Sequence, residues 1–225
     1  RYLSAAKNGT LAFSYNGDLY TLTEGSEPVK VEMTVYSDQD ERDIERATYS
    51  GGATDIAIPK SQKEIALILR GDVFVTSADY RTTKRITNTA SQERDLSFSE
   101  DGRTLYYSAE RDGHWGIWRT SLSNKDDKYF TYATEFKEEL FSDEGETCFQ
   151  PAVSPDGKYV AYLRDRTELV IKPTKGGKAK SLLKDVNYSY SDGDLSFSWS
   201  PDSHYLLSSY QADGGWNNED VAVID

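Results

Sequence analysis

Apolar and polar residues alternate with a period of two along most of this chain, in paired runs set around short polar turns. The best-formed copy reads P-A-V-S-P-D-G at Pro151–Gly157, then Y-V-A-Y-L at Tyr159–Leu163, E-L-V-I-K at Glu168–Lys172 and an outer run at Lys180–Leu183. Related stretches are L-S-A-A-K-N-G at Leu3–Gly9, I-A-I-P-K-S-Q at Ile56–Gln62, L-S-F-S-E-D-G at Leu96–Gly102 and F-S-W-S-P-D-S at Phe197–Ser203. Their last turn residues, Gly9, Gln62, Gly102, Gly157 and Ser203, lie 40 to 55 residues apart. That is the length of a four-stranded blade, so the pattern predicts an all-β propeller of four-stranded antiparallel blades.

About five blades are expected, at roughly residues 1–36, 50–90, 94–143, 149–186 and 194–225, with the whole of 1–225 read as one propeller segment. The turn has a mechanism. Pro155 presets φ, Asp156 can accept from the following backbone amides, and Gly157 takes a φ that other residues resist. A second hairpin turn is expected at Asn16-Gly17 and Arg70-Gly71, and a Gly-Gly turn between the third and fourth strands of copy four at Lys175-Gly176-Gly177. Copy three is about fifteen residues longer than its neighbours, extending through Lys128–Phe141. Copy five runs Leu195–Ser200, Tyr205–Tyr210 and Asp220–Ile224 and stops before a fourth strand. An open stack leaves an unpaired edge, so the chain is expected to be part of a larger propeller.

Composition narrows the partners. Sixteen Tyr against one Met suit half-buried strands, whose rings pack while their hydroxyls reach water or backbone. A net charge of -12 repels phosphate backbones and anionic lipid, which argues against nucleic acid and membrane surfaces. No run approaches the roughly 20 apolar residues needed to cross a bilayer, so no membrane insertion is expected.

Candidate chemistry is sparse. One cysteine, Cys148, and two histidines, His114 and His204, cannot assemble a zinc site, and no cofactor or metal is expected. Asp38, Asp40 and Asp43, like Asp192 and Asp194, have the spacing of calcium loops without the Gly and closing Glu. No G-x-S-x-G elbow is present, so no catalytic residue is assigned. His204 follows its turn as Lys158 does in copy four and reads as an exposed flanking group. His114 lies at a hairpin. Cys148, just ahead of an inner strand, reads as packing. Trp115, Trp118, Trp199 and Trp216 raise the possibility of an aromatic cage, but three of them fall on or beside strands, where packing explains them. The runs Ser37–Glu45 and Gln211–Asp220 read as solvated connectors.

One constellation has a geometric rationale. Arg70, Arg111 and Arg164 sit where the second strand of a blade ends, so the repeat brings them to one face, where forked hydrogen bonds could hold a peptide carboxylate. Asp72, Asp112 and Asp165 stand beside them as competing ion-pair partners.

The turns and the strings G-D-L-Y-T-L at Gly17–Leu22, G-D-V-F-V-T at Gly71–Thr76, K-R-I-T-N-T at Lys84–Thr89, S-F-S-E-D-G-R-T-L-Y-Y-S-A-E-R-D-G at Ser97–Gly113 and N-Y-S-Y-S-D-G-D at Asn187–Asp194 resemble the WD40-like propeller of bacterial tricorn-like serine proteases. Copies one and two depart from the turn motif, with A-K-N-G and P-K-S-Q. The resemblance implies a non-catalytic propeller that guides peptides or unfolded protein and offers an assembly surface. It implies a parent peptidase carrying a PDZ domain and a peptidase core, a homo-oligomer through that parent, and a periplasmic location, with the cytoplasm as alternative. A stand-alone periplasmic protein-binding propeller of the TolB type, or the gating propeller of a prolyl-oligopeptidase-like enzyme, remains open on the same residues.

Overall fold

The computed structural model describes residues 3–15, 17–33, 47–184, 196–211 and 219–225, and the described residues contain strands and no helix. The aspartates of the two calcium-like runs, Trp216, Asn16 and the string Asn187–Asp194 lie outside them. Among the described residues, nineteen strands form five antiparallel sheets, each a simple meander. Blade 1 comprises β1 (Ser4–Ala5), β2 (Leu11–Tyr15), β3 (Asp18–Leu22) and β4 (Val29–Lys30). Blade 2 comprises β5 (Ala53–Ala57), β6 (Glu64–Leu69), β7 (Asp72–Ser77) and β8 (Thr83–Arg85). Blade 3 is β9 (Glu93–Phe98), β10 (Thr104–Arg111), β11 (His114–Leu122) and β12 (Phe136–Leu140). Blade 4 is β13 (Cys148–Val153), β14 (Tyr159–Arg164), β15 (Glu168–Pro173) and β16 (Lys180–Lys184). Blade 5 contributes β17 (Phe197–Trp199), β18 (Leu206–Gln211) and β19 (Glu219–Ile224).

The chain divides into two compact units, Arg1–Tyr49 and Ser50–Asp225. The first holds blade 1, whose Phe13 and Tyr20 rings stack at 5.7 Å across β2 and β3. The second holds blades 2 to 5.

Within the second unit the period of two sorts side chains between neighbouring blades. Leu105, Tyr107 and Ala109 of β10 pack with Ala66, Ile68, Val73 and Val75 of blade 2. Tyr106, between them in sequence, packs with Cys148, Val160 and Tyr162 of blade 4. On β14, Leu163 instead meets Phe197 and Ile224 of blade 5. Both faces of these strands are covered, which is why Y-V-A-Y-L reads as a continuous apolar run. Full burial of side chains such as Leu105 and Leu163 stabilises the stack by about 1.5–3 kcal/mol each.

The turn motif works as a small hydrogen-bonded clip. Ser154 Oγ donates to Asp156 Oδ1 at 2.7 Å and accepts from Tyr159 N at 3.0 Å, while Asp156 Oδ1 accepts from Lys158 N at 3.1 Å. Those bonds, led by the one from Ser154, pull the Asp156 carboxyl down to about 2. Ser99 with Asp101 and Ser200 with Asp202 repeat the clip. Gly157 has φ +71°, and a Cβ there would lie 3.1 Å from Glu100 Cβ of the preceding blade. Glycine therefore serves both the left-handed backbone and the close approach of two turns. Gln62 and Ser203 take the same backbone, φ 54° and 64°, without being glycine.

Inner strands are stitched by side chains to the backbone of the next blade. Asp55 Oδ2 accepts from Leu96 N at 2.6 Å, and Asp95 Oδ2 accepts from Gln150 N at 3.1 Å. Ser97 Oγ accepts from Val153 N, and Trp199 Nε1 donates to Ala152 O at 2.9 Å. Asp95 and Gln150 sit at bulges with φ 58° and 54°.

The extension of copy three departs from expectation. Only Phe136–Leu140 forms the outer strand, and residues 123–135 fold back on blade 2. The cause is the buried carboxylate of Glu64, at the start of β6. It accepts from Phe130 N at 3.1 Å, Thr131 N at 2.7 Å and Thr131 Oγ1 at 2.8 Å, giving those groups partners that a strand ladder would otherwise supply. Lys84 Nζ donates to Ala133 O and fastens the same segment.

Candidate functional site

Blades 2 to 4 each have two ends: one carries the turn between first and second strands, the other the hairpin between second and third. Arg70, Arg111 and Arg164 all belong to the hairpin end, but in different registers. Arg70 occupies the turn itself with Gly71, at φ 55° and 88°. Arg111 and Arg164 close their strand pairs, opposite His114 and Glu168. Counted from the inner strand, Arg164 opposes Cys148, and the matching positions in blades 3 and 2 are Ala109 and Leu69. Arg111 stands two residues farther out because β10 has eight residues where β6 and β14 have six.

The ion pairs also differ from those suggested by sequence neighbours. Arg111 binds Glu93 at 2.8 Å and Glu138 at 2.9 Å, with its guanidinium 5.2 Å from the Trp118 ring. Arg164 binds Glu146 and Glu168, each at 2.8 Å. Asp72 pairs with Arg85 at 2.6 Å. The reason is register: Glu168 lies directly across the ladder from Arg164, whereas Asp112 and Asp165 occupy left-handed turn positions.

Around Arg111 the network is deep. The Glu93 side chain is fully buried and also accepts from Thr87 Oγ1 and Thr89 Oγ1. Burial raises its carboxyl above the usual range, against the pull of Thr89 and Arg111. Tyr107 Oη donates to Glu138 at 2.5 Å and shares a bond with Thr120 Oγ1 at 2.7 Å. This end of blade 3 is braced by its charges.

The opposite end holds a feature that the sequence reading missed. Folding residues 123–135 against the β7–β8 turn leaves a pocket of about 120 Å³ whose lining includes Lys63, Ser77, Asp79, Tyr80, Tyr129 and Tyr132. Ser77 Oγ accepts from Asp79 N and Tyr80 N and so fixes that turn. Lys63 Nζ pairs with Asp79 Oδ2 at 2.9 Å. That bond, reinforced by the nearby Tyr129 and Tyr80 phenols, raises the Lys63 ammonium above its ordinary value. Tyr80 and Tyr132 are 66% and 56% exposed, and Tyr129 meets Tyr132 edge-on at 6.4 Å. The available signal was the Tyr-x-x-Tyr spacing of Tyr129 and Tyr132 inside the one connection that outgrew its repeat.

The remaining reactive side chains are engaged elsewhere. Cys148 is the first residue of β13, fully buried, and burial pushes its thiol up to about 12. His204 is exposed, its ring 4.7 Å from that of Tyr205 centroid to centroid and its Nε2 3.3 Å from Asp225. Trp115 packs on Phe149 at 5.4 Å. Among the described residues no group of three His, Cys, Asp or Glu side chains is placed to hold a metal ion, and no helix is long and apolar enough to cross a membrane.

No family model matches this sequence, and no curated protein matches it. Solved structures do. TolB from Acinetobacter baumannii aligns with a TM-score of 0.58 at 18% identity, covering 92% of this chain and 45% of that protein. A putative TolB from Agrobacterium tumefaciens aligns at 0.51 and 17% identity, over 98% of this chain and 74% of that one. The tricorn protease aligns at 0.50 and 16% identity, over 95% of this chain and 19% of its own. The chain thus spans less than half of the Acinetobacter protein and about a fifth of the protease. At these identities the likeness is one of fold: the chain is an all-β propeller of about five blades, of the kind seen in TolB and the tricorn protease.

Proposed function

We propose that this chain is a non-catalytic propeller segment that binds and guides peptides or unfolded protein. The reading is supported by one observation above all: the polar groups of the inner strands, Asp55, Asp95 and Ser97, serve to join blades, which leaves recognition to the blade ends. In its finer form, the segment belongs to a bacterial tricorn-like serine peptidase, guides substrates or products beside a PDZ domain and peptidase core, and supplies an assembly surface in the periplasm. The strings at Ser97–Gly113 and Lys84–Thr89 favour that form. A stand-alone TolB-type binding propeller is the second reading, favoured by the TM-score of 0.58 over 92% of the chain.

Titrating the chain with reduced, carboxymethylated lactalbumin tests the common core of both readings. Saturable binding without cleavage is expected; no binding, or cleavage abolished by substituting Ser, Cys or His of this chain, overturns it. The parent reading frame separates the two forms. A PDZ domain and peptidase core supports the first, and a protein ending after the propeller supports the second.

Arg70, Arg111 and Arg164 are proposed as the carboxylate contact of this activity at the hairpin end. For Arg111 and Arg164 that role competes with the carboxylates they already hold. Free-acid peptides should then bind more tightly than amidated ones, and the preference should vanish in the triple Ala variant. Equal binding of both peptides assigns these residues to bracing alone.

A further inference from the structure

We propose that the tyrosine-walled pocket between blade 2 and the folded-back segment of blade 3 takes a proline ring from an extended, lysine-flanked peptide. This names a ligand class for the peptide-binding reading and rests on it.

Size comes first. At about 120 Å³ the pocket is well below the roughly 300 Å³ at which small-molecule sites begin, so it takes one compact side chain and not a cofactor. Its walls are aromatic, and two of the three rings are more than half exposed without a covering side. Aromatic-lined grooves suit prolines because the pyrrolidine ring packs on ring faces and the preformed polyproline helix has little entropy left to lose.

Polarity agrees. Lys63, Tyr80, Tyr129 and Tyr132 share the lining, so an ammonium and phenol hydroxyls offer hydrogen-bond donors to whatever enters it. A proline offers its carbonyl as an acceptor there and brings no N–H of its own to satisfy. Asp79, paired with Lys63 at 2.9 Å, supplies a carboxylate acceptor in the same lining. Charge selects the flanks, since a chain of net charge -12 draws cationic segments and repels acidic ones.

The pocket is also held in shape before any ligand arrives. Glu64 fixes Phe130 and Thr131 through three hydrogen bonds, and Ser77 fixes the backbone of Asp79 and Tyr80. Preorganised walls lower the ordering cost of binding.

The test is calorimetric titration of the chain with the blocked peptide Lys-Pro-Pro-Lys, its Lys-Ala-Ala-Lys counterpart, cellobiose, and carboxymethylated lactalbumin as a general unfolded client. The proline peptide should bind at least tenfold more tightly than the alanine peptide. That preference should be lost in Tyr80→Ala/Tyr132→Ala and largely kept in Tyr80→Phe/Tyr132→Phe, with unchanged unfolding midpoints showing that both variants fold. Equal binding of the two peptides, a preference untouched by the Ala variant, or saturable binding of cellobiose in place of the peptide overturns the inference. Lactalbumin binding that survives such a result leaves the peptide-binding reading standing; its absence from the wild type removes that reading as well.

Discussion

At the hairpin end of blade 3 the Arg111 side chain is 17% exposed and shared between two carboxylates, whereas at the turn end Tyr80 and Tyr132 are 66% and 56% exposed around an open pocket. Both ends are products of one repeat. They differ because the hairpins are short, with the ladder setting charges directly opposite one another, while the longest connection of the unit leaves from the other end. Short turns consume their polar side chains in cross-strand pairs; a connection that outgrows its blade must find new partners and brings new surface with it. In this chain Glu64 supplies the partners and the tyrosines supply the surface.

The contrast is broken most severely by removing Arg111. Arg111→Ala leaves the fully buried Glu93 without its cation and should cost about 3–5 kcal/mol in denaturant unfolding. Burial raises the Glu93 carboxyl already in the intact protein, so the folded state holds that proton more tightly than the unfolded one. The stability this proton confers is present at acid pH and lost as pH rises through the raised value, and removing Arg111 deepens the loss. The defect of Arg111→Ala should therefore be largest near neutrality and shrink toward pH 4, and Glu93→Gln in the same chain should recover part of it. A pH-independent defect would show that packing on Trp118, and not charge, is what Arg111 contributes.

Next in size is Glu64→Ala, which strands two backbone amides and a hydroxyl and should cost about 2–3 kcal/mol. Hydrogen exchange should accelerate at residues 129–133 more than in the strands of blade 2, and uniform acceleration would contradict a local clasp. Trp199→Phe removes the bond to Ala152 O while keeping an aromatic ring, for about 0.5–1.5 kcal/mol. Smallest is Gln62→Gly, which relieves a left-handed backbone and should stabilise by up to about 1 kcal/mol. A loss there would mean that the Gln62 side chain contributes more than its backbone costs.

Much of this fold was legible because its information is local. The ranges Leu11–Tyr15, Asp18–Leu22 and Glu64–Leu69 follow from alternation bounded by turn residues, and the left-handed residue ending each Ser-Pro-Asp-Gly-like turn follows from position alone. The double burial of β14 followed from its unbroken apolar run. What escaped was set by distance in space. Arg111 and Glu138 stand 27 residues apart in the chain, and Glu64 reaches Thr131 across 67, so neither pairing leaves a periodic trace. The common end of the three arginines was legible but their register was not, for a related reason: β10 is two residues longer than β6 and β14, and only the ladder reveals the shift. The pocket was hidden because it needs a fold-back that alternation cannot encode, although the excess length of copy three and the spacing of Tyr129 and Tyr132 marked the place.

The central claim, that the open turn end takes the peptide's side chains while the hairpin arginines brace the blades and meet only a free carboxylate, is tested most directly by backbone amide shifts of the labelled chain titrated with the blocked Lys-Pro-Pro-Lys peptide. The account predicts saturable changes confined to residues 77–82 and 129–133, with residues 69–72, 111–114 and 164–168 unmoved. Changes centred on those hairpin residues, with the tyrosine pocket silent, would contradict it.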